Sequence, residues 1–210
     1  MSHETARRNY NRLSRWYDLF SASERRFTET GLSLLNVQPG ERVLEIGFGT
    51  GHSLVTLAQS VGETGKVYGI DISDGMLELA QQRVRGAGLA SRTELKLADA
   101  TALDYPPESL DAILMSFTLE LFDSADLPRV LGECTRTLRR GGRLGVVSMA
   151  KQDSPTVRLY EWAHRRWPEM LDCRPIDAQA EISSAGFEIG ETLVRSTWGL
   201  PVDIIIARQA

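Results

Sequence analysis

The run Glu45-Ile46-Gly47-Phe48-Gly49-Thr50-Gly51 constrains this chain more than any other stretch. It continues the apolar VLEI of residues 43 to 46, which the Pro39-Gly40 turn marks as the start of a buried strand, and it precedes a segment that suits a helix. Closely spaced glycines let the backbone turn tightly and approach a ligand without a Cβ clash. A helix starting directly after them presents unpaired amide hydrogens. Asp71 ends the next strand, KVYGID, twenty residues beyond Gly51. In a doubly wound sheet both elements reach one crevice at the strand ends, where a carboxylate accepts the hydrogens of a ribose diol. A glycine turn alone is compatible with a structural role; the turn, the acid and their spacing together argue for a nucleotide-like cofactor.

Further strand candidates are TELKLAD at 93 to 99, LDAILMS at 110 to 116 and RLGVVSM at 143 to 149, with helical segments at about 52 to 60, 74 to 86 and 124 to 139. In the last of these Leu127, Val130, Leu131, Cys134 and Leu138 recur at helical spacing, which makes Cys134 a packing residue. Strands alternating with helices predict an α/β fold with a doubly wound, seven-stranded, mainly parallel sheet. Near the end, strands at about 187 to 194 and 202 to 207 are separated only by STWGLP, too short for a crossover helix. An antiparallel hairpin at the sheet edge follows. The 210 residues suit one core. Within a single domain we expect an N-terminal helical lid at 1–36, a cofactor-binding core at 37–150, a small cap at 151–178, and a final helix and hairpin at 179–210.

Composition removes several function classes. Lys plus Arg number 24 against 28 Asp plus Glu, a net charge of -4, so no nucleic-acid partner is expected. Two cysteines, Cys134 and Cys173, are too few for a disulfide scaffold or a cysteine zinc cluster. His3, His52 and His164 are widely separated and form no metal motif, and His52 reads as a local structural residue at the glycine–helix junction. GFGTGHS lacks the lysine that a phosphate-wrapping loop places before its Ser or Thr. An NAD-dependent oxidoreductase is the rival enzyme class, although the spacing here is GxGxG rather than GxGxxG. Neither a signal segment nor an apolar run of roughly 20 residues stands out, so the expected location is cytoplasmic, with peripheral contact at the inner membrane face left open.

At these residues the sequence resembles the class I S-adenosylmethionine-dependent methyltransferases. E-I-G-F-G-T-G at 45 to 51, Asp71, Asp99-Ala100, LDAILMS at 110 to 116 and LRRGGRLGVVSM at 138 to 149 carry the resemblance. It implies a Rossmann-like methyltransferase fold, S-adenosyl-L-methionine as cofactor and S-adenosyl-L-homocysteine as product. It further implies that Gly47, Gly49 and Gly51 admit the methionine moiety and that Glu45 orients the turn or receives the amino group. Asp71 would take the ribose hydroxyls, and Ile72 and Met76 would pack beside adenine. Asp99 would receive the exocyclic amine, with Ala100 leaving room for the ring, and Ser116 and Tyr17 would join the cofactor side. Core packing is the competing reading for Ile72 and Met76, and a solvent turn for Asp99. A non-catalytic S-adenosylmethionine-binding regulator is the competing reading of the whole.

YNRLSRWYD at 10 to 18 resembles the branch containing quinone C-methyltransferases and small phospholipid N-methyltransferases, in which the N-terminal segment folds over cofactor and acceptor. If helical, Ala6, Tyr10, Leu13, Tyr17 and Phe20 share one face and Arg8, Arg12 and Arg15 another, which suits a packed helix, an active-site lid or a membrane-contacting lid. The candidate catalytic residues are Tyr10, Tyr17, Glu120 and His164. Glu120 follows the fourth strand and would receive a proton or a cationic head, or else begin a surface helix. Tyr160, Trp162, His164, Trp167 and Arg174 suggest an amphipathic acceptor pocket for a small hydrophobic substrate or a phospholipid. The oligomeric state is left unassigned.

Overall fold

Arg42–Ile46 (β1) is the hub of the fold because both faces of it are covered: Val43, Leu44, Glu45 and Ile46 are all buried. The computed structural model describes residues 22–152, 157, 166, 174–197 and 199–210. Tyr10, Tyr17, Tyr160, Trp162, His164 and Trp167 lie outside the described residues.

Beside β1 run Lys66–Asp71 (β2), Thr93–Leu97 (β3), Leu110–Ser116 (β4), Leu138–Met149 (β5), Phe187–Thr197 (β6) and Leu200–Gln209 (β7). Their order is β3-β2-β1-β4-β5-β7-β6. Pairs among β1 to β5 are parallel, and β7 is antiparallel to both β5 and β6. The order reverses between β1 and β4, which opens a crevice at the carboxyl ends of those strands. Among the described residues the helices that cover the sheet are Ala22–Leu35 (α1), His52–Ser60 (α2), Asp74–Gly86 (α3), Leu127–Thr137 (α4) and Ala178–Ser184 (α5).

Side chains alternate along each strand and feed two layers. Leu44, Ile46, Ile113 and Val146 pack with Val130, Leu131 and Cys134 of α4 and Ile182 of α5. Val43 and Leu114 face the other way, against Leu54 and Leu57 of α2 and Met76, Ala80 and Val84 of α3. Full burial of each such Leu or Val contributes about 1.5 to 3 kcal/mol. α3 is fixed at its start by the Ser73 hydroxyl, which accepts from Met76 N, with Asp74 in the first turn and Arg83 and Arg85 in the last.

Among the described residues the predicted strands and helices are present, with shifted ends. β3 stops at Leu97 because Ala98 N bonds Asp71 O and Asp99 then turns, its Oδ1 accepting from Thr101 N at 2.8 Å. α4 begins at Leu127 rather than 124, after a turn in which Asp126 N bonds Asp123 O. It yields to β5 at Leu138, which pairs with Leu110. A register shift, with Gly141 at φ 70°, then precedes the pairing of Arg143 with Ala112. In the C-terminal hairpin β7 fills the space beside β5, so β6 is the edge strand on that side and β3 the edge on the other.

The described part of the 1–36 segment is α1, and it packs on the sheet. Phe27 joins Val147, Val202 and Ile204, Leu35 is fully buried, and a Cβ on Gly31 would lie 2.7 Å from Val147 Cγ2. Of the 151–178 segment, Ile176 bridges to Ala150, and Arg174 donates to Ser124 Oγ at 2.7 Å.

Candidate functional site

The three glycines after β1 all have positive φ, 72° at Gly47, 51° at Gly49 and 80° at Gly51, yet each position needs glycine for a different reason. A Cβ on Gly47 would strike Thr118. One on Gly51 would lie 2.8 Å from Ala80 Cβ, so this glycine lets α2 close on α3. A Cβ on Gly49 would meet nothing within 4 Å. Only Gly49 therefore presents bare backbone to open space.

Asp71, at the end of β2, anchors that exposed turn. Its Oδ2 accepts from Gly49 N and its Oδ1 from Ser73 N, both at 2.9 Å. Burial pushes its carboxyl above the usual range, while the amide bonds pull the other way. With the amides of Gly49, Ile72 and Ser73 bonded to it, the carboxylate still has acceptor capacity for a ligand hydroxyl.

Glu45 points from β1 toward α2 and is only 1% exposed. Ser53 donates its hydroxyl to Oε1, and Oε2 has no hydrogen-bond partner. Burial, with a smaller contribution from the charge of Asp71, pushes its pKa up to about 8. It borders a cleft of about 200 Å³ floored by Gly47, Phe48 and Gly49 and walled by Arg25 and Thr28 of α1. Thr28 Oγ1 and Ser116 Oγ, 2.7 Å apart, tie α1 to the end of β4, and Arg25 Nη2 donates to His52 Nε2 at 2.7 Å.

Glu45, Gly47, Gly49 and Ser116 thus meet at one cleft, with Asp71 bonded to its turn. Gly51 sits behind it as a helix-packing residue. Met76 is a buried member of the α2–α3 cluster, and Ala100 is buried on the opposite face of the sheet; Ile72 is half-buried and Asp99 exposed. Glu120 does not begin a surface helix. It is 2% exposed, and its Oε1 accepts from Met149 N at 3.0 Å, because the short turn Leu119–Leu121 folds it against the end of β5. Cys134 is fully buried, and burial pushes its thiol up to about 12.

Sequence reasoning missed Arg25, Thr28 and Ser53. The signal was available for two of them: Arg25, Thr28, Glu29 and Leu32 follow the spacing of one helical face. Among the described residues no group of three His, Cys, Asp or Glu is placed to hold a metal ion, and no helix is long and apolar enough to cross a membrane.

Residues 43–142, from β1 to the start of the β5 core, match a family described as a methyltransferase domain. A demethylmenaquinone methyltransferase of Lactobacillus johnsonii is 34% identical over 125 residues, 60% of this chain and 50% of the relative. A ubiquinone/menaquinone biosynthesis C-methyltransferase of Cronobacter sakazakii is 35% identical over 127 residues, 60% of this chain and 49% of the relative. The chain spans about half the length of the curated relatives it matches. The methyltransferase fold extends further: a crystal structure of a SAM-dependent methyltransferase from Aquifex aeolicus superimposes with a TM-score of 0.65 at 25% identity, covering 87% of this chain and 89% of that one.

Proposed function

We propose that this protein transfers a methyl group from S-adenosylmethionine to a small hydrophobic acceptor and releases S-adenosylhomocysteine. The observation that carries the reading is the cleft at the sheet's switch point, where the unsatisfied Oε2 of buried Glu45 and the open backbone of Gly49 face one space. These features fit the amino-acid end of the cofactor: an ammonium group needs a carboxylate acceptor, and a close backbone approach needs a residue without Cβ. When bound, S-adenosylmethionine supplies a methyl group already activated by its sulfonium.

The chain's own residues bind and orient. Glu45 accepts from the ammonium group, Asp71 takes the ribose hydroxyls on its remaining lone pairs, and Asp99 takes the exocyclic amine. Ile72 and Ala100 shape the adenine side. Met76 supports that side from the core, and Ser116, bonded to Thr28, borders the methionine end. The acceptor is aligned opposite the sulfur and water is kept out. Tyr10, Tyr17 and His164 are assigned to the acceptor side, and the opening segment to the lid and to peripheral membrane contact in a cytoplasmic protein. Glu120 holds the end of β5 beside the acceptor.

Because the named relatives act in menaquinone and ubiquinone synthesis, a demethylated quinone precursor is the first acceptor to try. Calorimetry should detect S-adenosylhomocysteine binding without NAD binding. A radiolabelled methyl-transfer screen over quinone precursors, phosphatidylethanolamine, small amines, DNA and RNA should then label a hydrophobic acceptor. Binding of NAD alone would favour the oxidoreductase reading, cofactor binding without turnover of any acceptor the regulator, and selective labelling of nucleic acid would overturn the substrate class.

A further inference from the structure

The loop between β3 and β4 carries Asp99 and Ala100, and two side chains of α4 hold it. At its start Ala98 N bonds Asp71 O. Asp99 then opens a turn that Ala102 N closes on its carbonyl, and its Oδ1 accepts from Thr101 N at 2.8 Å, which leaves Oδ2 for a ligand. Beyond the turn Leu103 N donates to Glu133 Oε2 at 2.7 Å, and Arg136 donates to Leu103 O and Tyr105 O, both at 2.8 Å. Arg136 also grips Glu133 twice, at 2.8 Å from Nε to Oε1 and 2.7 Å from Nη2 to Oε2. The guanidinium holds the Glu133 carboxyl below the usual range, so the group stays an acceptor for Leu103 N. Among the described residues no other hydrogen bond ties 101–105 to a different element.

We propose that Glu133 and Arg136 are positioning residues for base recognition, holding this loop so that Asp99 meets the exocyclic amine of the cofactor's adenine. The inference rests on the reading that Asp99 takes that amine. An ion pair whose side chains are 35% and 21% exposed adds little stability by attraction alone. What this one fixes is geometry: a single planar fork spans two backbone carbonyls, which a lysine ammonium cannot do. Asp99 itself is exposed, so its place is set by the backbone bonds on either side of its turn. One of them ends on the carbonyl of Asp71, the ribose acid, and the other anchor is the α4 clamp. The clamp therefore governs how far the base-reading carboxylate stands from the ribose-reading one. A hydrogen bond is lost once its partners separate beyond about 3.5 Å, so a small drift of the loop removes the contact.

Titration calorimetry on the full chain tests this with two ligands, S-adenosylhomocysteine and S-inosylhomocysteine, in which a carbonyl oxygen replaces the exocyclic amine. The wild type should prefer the adenine ligand, and Arg136→Gln should lower the ratio of the two affinities about tenfold, as expected for loss of one hydrogen bond to a charged group. Arg136→Lys, which reaches one carbonyl, should give an intermediate ratio, and it carries the same comparison if the glutamine variant does not fold. Asp99→Ala should lower the ratio as well, and adding Arg136→Gln to it should lower the ratio no further, because the two act through one contact. Arg139→Gln, which breaks the exposed pair with Asp111 away from this loop, should leave the ratio unchanged. A merely structural clamp would weaken both ligands equally. A wild-type ratio in the Arg136 variants, with a lowered ratio in Asp99→Ala, overturns the positioning role alone. A wild-type ratio in Asp99→Ala overturns the reading of Asp99 and the proposal with it.

Discussion

Glu45 should make this protein lose stability as the pH rises, the reverse of what an ordinary paired carboxylate does. Its pKa lies at about 8 in the folded chain against an ordinary value of 4.5, because burial disfavours the charged form. Below pH 4.5 both folded and unfolded chains hold the proton. Between 4.5 and 8 the unfolded chain has released it and the folded chain has not, so folding becomes less favourable by about 1.4 kcal/mol per pH unit. Across the whole window the ceiling is about 5 kcal/mol. Glu45→Gln isolates this contribution. The amide oxygen still accepts the Ser53 hydroxyl, the charge is gone, and with it the repulsion between Glu45 and Asp71. Urea unfolding at pH 5, 6, 7 and 8 should show the wild type losing stability relative to the variant at each step. Profiles that stay parallel within about 0.5 kcal/mol would refute the reasoning, since that is the scatter expected of independent sites. A bound ammonium reverses the preference of Glu45, so S-adenosylhomocysteine binding at pH 7 should release a proton, read as a difference in heat between two buffers of unlike ionisation enthalpy.

The glycine turn separates fold from binding. Gly51→Ala should lower stability by about 2 to 5 kcal/mol in urea melts, through positive-φ strain and collision with Ala80. Gly49→Ala should cost about 1 to 2 kcal/mol of stability and yet abolish most cofactor affinity; equal losses of stability in the two variants would contradict the distinction. Asp71→Asn should weaken S-adenosylhomocysteine binding by about 1 to 3 kcal/mol in calorimetry, and wild-type affinity in the folded variant would reject the ribose role. Deletion of residues 1–20 should keep cofactor binding and greatly reduce methyl transfer; full activity in the truncated chain would count against the lid.

Much of the fold was legible because its signals are local. The alternation of apolar strands with helical segments yields the parallel core, and the six residues of STWGLP leave no length for a crossover, so the last two strands had to be antiparallel. The pattern of Gly47, Gly49, Gly51 and Asp71 identified the turn for the same reason: positive φ and a strand-end acid are properties of short stretches. What each of those residues does depended on distant chain. Gly51 is needed because Ala80 of another helix sits against it, and Met76 belongs to the core because α3 turns that face toward α2. From its neighbours Glu120 suited a proton- or cation-accepting role and the start of a surface helix equally; the amide of Met149 draws it inward. β5 begins at Leu138 rather than Arg143 because Leu110 across the sheet offers it a partner, which no helical spacing within 124–139 could announce. The cleft itself exists only where α1, separated from the glycine turn by β1, folds back to place Arg25 and Thr28 beside His52 and Ser116. Local periodicity specifies elements, whereas the sign and reach of a binding site come from side chains that only tertiary packing brings within hydrogen-bond distance.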